Sequence, residues 1–132
     1  MTHVASVVAE ARVFTQAEFD RFGALSGDCN PIHVDPGFAA DTPFGATVAH
    51  GMLLFSAVRG LVARTWPDAE LCTQELMFPA PTYADEPVTL RLEPQARQAG
   101  EPWRVLARVA KADGRLGLDG VCHLRLPGAD RP

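Results

Sequence analysis

Gly51-Met52-Leu53-Leu54-Phe55-Ser56-Ala57-Val58-Arg59-Gly60-Leu61-Val62-Ala63-Arg64-Thr65-Trp66 is apolar on nearly every side until Arg59 and is stopped by Pro67. A helix that is hydrophobic all round is a buried helix when it is too short to cross a bilayer. Such a helix needs a wrapper, and the chain downstream supplies four candidate strands, 70–78, 88–93, 103–111 and 116–126. They are bounded by Pro79 and Pro81, Pro94, Gly100 and the hairpin dipeptide Asp113-Gly114. Val88, Leu90 and Leu92 alternate with Thr89, Arg91 and Glu93, the pattern of a sheet with one wet face. A buried helix followed by antiparallel strands predicts an α+β domain with helices packed against one sheet.

Upstream, residues 3–13 are Val/Ala-rich with loose alternation and read as a strand or extended lead-in. Thr15-Gln16-Ala17-Glu18 fits a capping box, so a helix starts there, with Phe19, Phe22 and Leu25 expected on one face. Ser26-Gly27-Asp28 closes it, because glycine accepts the left-handed conformation of a helix end, and Asn30-Pro31 blocks continuation. Asp28 therefore sits in a turn. Asp35-Pro36 reads as cap and first helical residue of a further short helix.

The 132 residues are 47% hydrophobic and 21% charged, which suits one domain over 1–132 with a core of its own. A net charge of −4 argues against a nucleic-acid partner, whose phosphates need a basic face. Eleven of the twelve cationic residues are arginine, so a local anion grip is still available. Three cysteines without CxxC spacing and without a secretory segment point to reduced thiols and a cytoplasmic protein, and no apolar run is long enough for a membrane span. No repeat or linker interrupts the chain, and the tail 128–132 is expected to fray.

The chemistry concentrates in Asp28-Cys29-Asn30-Pro31-Ile32-His33-Val34-Asp35-Pro36 and Val48-Ala49-His50-Gly51-Met52. Asp28 and His33 flank a rigid Asn-Pro turn, so carboxylate and imidazole can converge on one water; Asp before Asn-Pro is also an ordinary turn former. Gly51 at the first turn of the buried helix leaves N–H groups open to a ligand and so makes an oxyanion site. Equally, Gly51 can serve close packing, with His50 as the helix cap. Cys29, His33, Asp35 and His50 are metal-ligand types, but their spacing matches no zinc pattern and no metal is expected. Cys29 beside Asp28 gains no thiolate stabilisation and is not read as a nucleophile.

The run from Phe22 through Gly27-Asp28-Cys29-Asn30-Pro31-Ile32-His33 to Asp35, with Phe44-Gly45 and Ala49-His50-Gly51-Met52-Leu53, resembles the hydratase motif of the MaoC-like (R)-specific 2-enoyl-CoA hydratases. The helix and four strands that follow stand in the family's order. The resemblance implies a hot-dog fold, a long antiparallel sheet wrapped around a central helix. It also implies a homodimer or higher homo-oligomer with sites at the subunit interface. By the same resemblance, Asp28 and His33 hold and activate the water that adds to a trans-2-enoyl thioester. The Gly51 N–H stabilises the thioester oxygen, and the product is the (R)-3-hydroxyacyl thioester. No cofactor is implied beyond the coenzyme A carried by the substrate. Asn30 is read mainly as the tie of the turn that presents His33, with Asn30 and His50 as candidate substrate contacts, and Asp35 remains a cap.

One position departs from the pattern. Eight residues after the helix glycine, short members of the family often carry a serine lining the reaction site, and Arg59 stands there in this chain. It either snorkels outward or enters the acyl pocket, where it would favour a carboxylate-bearing acyl group and depress the Asp28 pKa. Two other readings use the same scaffold: dehydration of a 3-hydroxyacyl group on an acyl-carrier protein, and a non-catalytic acyl-thioester-binding subunit. Retention of both Asp28 and His33 argues against the second. A thioesterase is disfavoured because the helix 51–66 carries no carboxylate.

Overall fold

The chain runs β1 (Val8–Val13), α1 (Gln16–Ser26), α2 (Pro31–Val34), α3 (Pro36–Ala40), α4 (Gly51–Thr65), β2 (Glu70–Met77), β3 (Pro87–Pro94), β4 (Trp103–Lys111) and β5 (Leu116–Arg125) in the computed structural model, which describes residues 6–126. The strands form one sheet in the order β1-β3-β4-β5-β2, with every neighbouring pair antiparallel. Each expected strand is present within a residue or two. The lead-in begins as a strand at Val8; its residues 3–5 and the tail 128–132 lie outside the described residues.

Alternation does what the pleat requires. Val88, Leu90 and Leu92 of β3, Val105, Ala107 and Val109 of β4 and Leu118, Cys122 and Leu124 of β5 are buried on one face. Against them α4 lays Leu54, Val58, Leu61 and Val62, a stripe at helical spacing, and Phe14 and Phe19 close the same cluster. Burying each such side chain contributes about 1.5–3 kcal/mol. The β4–β5 hairpin turns on Asp113-Gly114 as expected: Gly114 has φ 87° and its N–H donates to the Lys111 carbonyl.

Two expectations need correction. α4 is covered along one stripe and not all round, because the sheet lies on one side of it; Met52 on another flank is 52% exposed. Leu25 does not share the face of Phe19. Six residues advance a helix by about 600°, which leaves Leu25 roughly 120° round the axis, and it is 85% exposed.

One element was missed. Asn30-Pro31 does stop α1, but it also starts α2: the Asn30 side chain accepts from the Ile32 N–H at 3.1 Å, and Pro31 occupies the first helical position, where its absent N–H costs nothing. The capping box of α1 is present in both directions, and Asp35 caps α3 by accepting from the Phe38 N–H.

Candidate active site

Gly27, at φ 81°, ends α1 and its N–H donates to the Gly23 carbonyl, which turns the chain so that Asp28 projects from the loop with its side chain 55% exposed. The Asn30 N–H donates to Asp28 Oδ1 at 3.3 Å, leaving Oδ2 free. Five residues on, α2 carries His33. Its Nδ1 lies 2.8 Å from the Val48 carbonyl, an acceptor, so Nδ1 holds the proton and Nε2 keeps its lone pair. Nε2 stands 3.8 Å from Asp28 Oδ2, too far for a direct hydrogen bond and close enough for both to accept from one water.

His33 is held from behind as well. Gln16 donates through Nε2 to the His33 carbonyl at 2.9 Å and accepts from the Thr47 hydroxyl. The first turn of α1 thereby braces the one-turn helix α2, too short to be stable alone.

Asp28 also borders a cavity of about 530 Å³ whose other walls include Phe22, Phe44, Gly51, Met52, Phe78 and Thr82. His33 is not one of the walls; it stands behind Asp28, its side chain 15% exposed and its Nε2 3.8 Å from Asp28 Oδ2. α4 begins at an adjoining wall. Its cap residue His50 makes no side-chain capping bond, so the expectation that His50 caps the helix is not met. The Gly51 and Met52 N–H groups have no acceptor among the described residues, as the first donors of an uncapped helix must. Partial positive charge at this helix start faces the cavity that holds Asp28.

The packing reading of Gly51 holds too. A Cβ there would come within 2.7 Å of the Phe78 ring, so the ring occupies the space that any side chain would need. Glycine serves closeness and an open N–H at once.

His50 is also among the walls of the cavity, but its ring is engaged elsewhere. It is buried, with Nε2 on the Asp28 carbonyl and its ring against His33. Asn30 acts as the α2 cap, which upholds its structural reading. Arg59 is not among the residues that line the cavity; it stands about two turns along α4 from the wall residue Met52. The residue is partly exposed, so it is neither sealed in the core nor fully free in solvent. Its Nη1 is buried with no hydrogen-bond partner among the described residues, and its charge is felt at Cys122 on β5.

Asp28, His33 and His50 each offer a ligand atom within 4.8 Å of the others. They suit a metal ion poorly. His50 spends Nε2 on a carbonyl, its Nδ1 is sealed, and its ring is stacked on His33, so the lone pairs of the two rings point side by side and do not converge at about 2.1 Å.

The sequence reading missed the wall that follows β2. Pro79, Ala80, Pro81 and Thr82 line the cavity, and Lys111, buried on β4, holds their loop by donating to the Pro81 carbonyl while pairing with Glu86 at 3.4 Å. A lone lysine at an inward position of an alternating strand was the available signal. Gly117 makes room for this loop, since a Cβ there would collide with the Thr82 hydroxyl.

A one-sided antiparallel sheet on a central helix, with a carboxylate and an imidazole facing an uncapped helix start, defines a hot-dog protein with an acid–base site. Residues 3–113 match the model of the MaoC like domain, and the chain belongs to that family. It is 37% identical over 117 residues to an (R)-specific enoyl-CoA hydratase of Aeromonas caviae, covering 86% of this chain and 87% of the relative. A 3-hydroxybutyryl-CoA dehydratase of Methylorubrum extorquens is 35% identical over 114 residues, 80% of this chain and 69% of that one. The solved structure of an (R)-hydratase from A. caviae involved in PHA biosynthesis superposes with TM-score 0.87 at 34% identity, over 95% of this chain and 97% of the other.

Proposed function

We propose that this protein hydrates trans-2-enoyl-CoA thioesters reversibly to (R)-3-hydroxyacyl-CoA. The observation that carries the reading is the pair of open acceptors, Asp28 Oδ2 and His33 Nε2, 3.8 Å apart beside a cavity whose other wall presents unpaired helix N–H groups. A water between the acceptors donates one hydrogen to each, which turns its lone pair toward the cavity. Its oxygen bonds to C3 of the enoyl group as Asp28 takes a proton, with His33 orienting the water and sharing in the proton transfer. The C2–C3 π pair moves toward C2 and the thioester oxygen gains enolate character opposite the Gly51 N–H. A proton returned to C2 completes the addition, and water and the double bond are the only groups consumed.

The test is hydration of crotonyl-CoA with chiral analysis of the product, alongside Asp28→Asn and His33→Ala. Loss of turnover in both variants and an R product are expected; full activity in both would sink the mechanism. Dehydration of a 3-hydroxyacyl group on an acyl-carrier protein uses the same atoms, and turnover of one acyl chain on each carrier decides between them.

No added cofactor takes part in this scheme, so dialysis against a chelator leaves the rate unchanged. We further infer a homodimer. β2 is an edge strand with Met77 exposed at its end, and the exposed Phe78 just beyond it borders the cavity together with Met52, an apolar rim that a second copy can cover. Sedimentation at micromolar concentration is expected to give twice the chain mass. Three free cysteines accord with a cytoplasmic protein, and no helix among the described residues is long and apolar enough to cross a membrane.

A further inference from the structure

His50 touches both members of the proposed pair. It is 2% exposed, and its Nε2 lies 2.9 Å from the Asp28 carbonyl oxygen. A carbonyl only accepts, so Nε2 carries the proton and donates. The ring face stacks on His33, with centroids 3.9 Å apart and planes at 25°, while Phe22 closes the remaining side edge-on at 4.9 Å. Nδ1 is buried without a partner, so the one bond this ring makes is the one to Asp28.

That bond matters because of what else holds Asp28. The Asp28 N–H donates to Ser26, Oδ1 accepts from Asn30, and Cys29 Sγ contacts the Gly23 carbonyl, all within six residues along the chain. These bonds shape the turn but do not place it in the molecule. Among the described residues, the His50 donor is the hydrogen bond that joins this turn to a distant element, across 22 residues of sequence. His50 also directly precedes Gly51. Val48 ties α2 to the approach to α4 through the Ile32 carbonyl and the His33 ring, and His50 adds the tie that reaches the Asp28 turn itself, stacking on His33 and directly preceding the helix N–H groups.

We propose that His50 is the positioning residue of the site, fixing the spacing between the water-activating pair and the oxyanion donor without itself exchanging a proton with substrate. The proposal rests on the hydratase reading above. A misplacement of about 1 Å in such a constellation can cost on the order of 100-fold in rate. The two contacts can be separated by substitution. His50→Phe keeps a flat ring for His33 and removes the donor; His50→Gln keeps a donor, since its amide nitrogen reaches about as far as Nε2, and removes the ring.

With crotonyl-CoA, His50→Phe is expected to lower kcat roughly 10- to 100-fold with KM within about threefold, and His50→Gln to recover roughly tenfold of that loss. A kcat within twofold of the parent protein in His50→Phe overturns the proposal, as does a raised KM at unchanged kcat, which would make His50 a substrate contact. A loss that tracks the melting temperature and is not relieved by glutamine also overturns it, because a merely structural role predicts that. Should His50→Phe fail to fold, His50→Gln is compared with His50→Asn, whose amide nitrogen stops near the position of Nδ1. Positioning predicts glutamine about tenfold above asparagine in kcat at equal KM, and equal kcat refutes it. Asp28→Asn and His33→Ala in the same assay keep the two readings apart: if both stay active the hydratase reading fails, whereas if both are silent and His50→Phe is normal only the positioning proposal fails.

Discussion

The segment from Asp28 to His50 and the layer of sheet plus α4 are ordered by different forces. The layer is held by inward apolar side chains in strict alternation, joined to the α4 stripe in one cluster. The segment contains two helices of four and five residues, which could not persist on propensity. It is held by side chain-to-backbone bonds: Asn30 on Ile32, Asp35 on Phe38, His33 on Val48, Gln16 on His33 and His50 on Asp28. Polar bonding lets the segment keep its shape while Asp28 stays open to solvent and cavity. Burial could not do that, since it would close the site.

If that division is right, activity and stability separate by region. The largest effect is expected from Asp28→Asn and His33→Ala, which should each lower kcat by about 10²- to 10⁴-fold; the melting temperature should hold in Asp28→Asn and fall in His33→Ala, which also loses the bond to Val48. A large loss of stability in Asp28→Asn would show that its carboxylate is structural. The mirror experiment is Leu90→Ala on β3, fully inside the cluster. A loss of about 2–5 kcal/mol by denaturant unfolding is expected, with kcat per folded molecule unchanged.

Arg59 tests the boundary between the two regions. Its Nη1 is buried without a partner, a cost of about 1–3 kcal/mol for an unanswered donor. Arg59→Met should therefore raise the unfolding free energy by an amount of that order and leave the ranking of crotonyl-CoA against a carboxylated enoyl-CoA unchanged. A drop in stability would show that a carboxylate from a second copy answers the guanidinium. A changed ranking would show that the substrate does. Asn30→Ala probes the polar region more gently: loss of the α2 cap should cost about 1 kcal/mol and lower kcat more than it raises KM, because α2 carries His33.

How much of this was legible in the sequence follows the same division. Alternation in Val88-Thr89-Leu90-Arg91-Leu92 and the turn at Asp113-Gly114 state the sheet locally, and the strands stand where they were expected. The capping box and the Asp35 cap were equally readable, since each is written in four residues or fewer. Asp28, His33 and Gly51 could be singled out as candidates by residue type and a proline-fixed turn, and it was the family resemblance that gave them roles. What could not be read were contacts made across the fold. His50 looked like a helix cap, yet its donor goes to a carbonyl 22 residues away. Arg59 could be read either outward or into the acyl pocket by its count from Gly51, because which flank of a helix faces the cavity depends on where the sheet lies. Leu25 failed for a simpler reason, a face drawn too wide.

The smallest effect concerns Cys122, the thiol inside the apolar layer. Burial pushes its pKa up to about 11 from an ordinary 9.0, with the charge of Arg59 working weakly the other way. The folded protein thus holds this proton more tightly than the unfolded chain does. The stability so contributed is complete below pH about 9 and is lost as the pH rises from there through about 11. Melting temperature followed from pH 8 to pH 11 should therefore fall more steeply in the parent protein than in Cys122→Val, which has nothing to ionise. The two proteins share every other titratable group, so the difference between the curves isolates the thiol. Parallel curves would mean that Cys122 meets water more readily than its place in the core allows. Repeating the pair in the Arg59→Met background should widen the gap, because removing the cation takes away the one nearby charge that favours the thiolate.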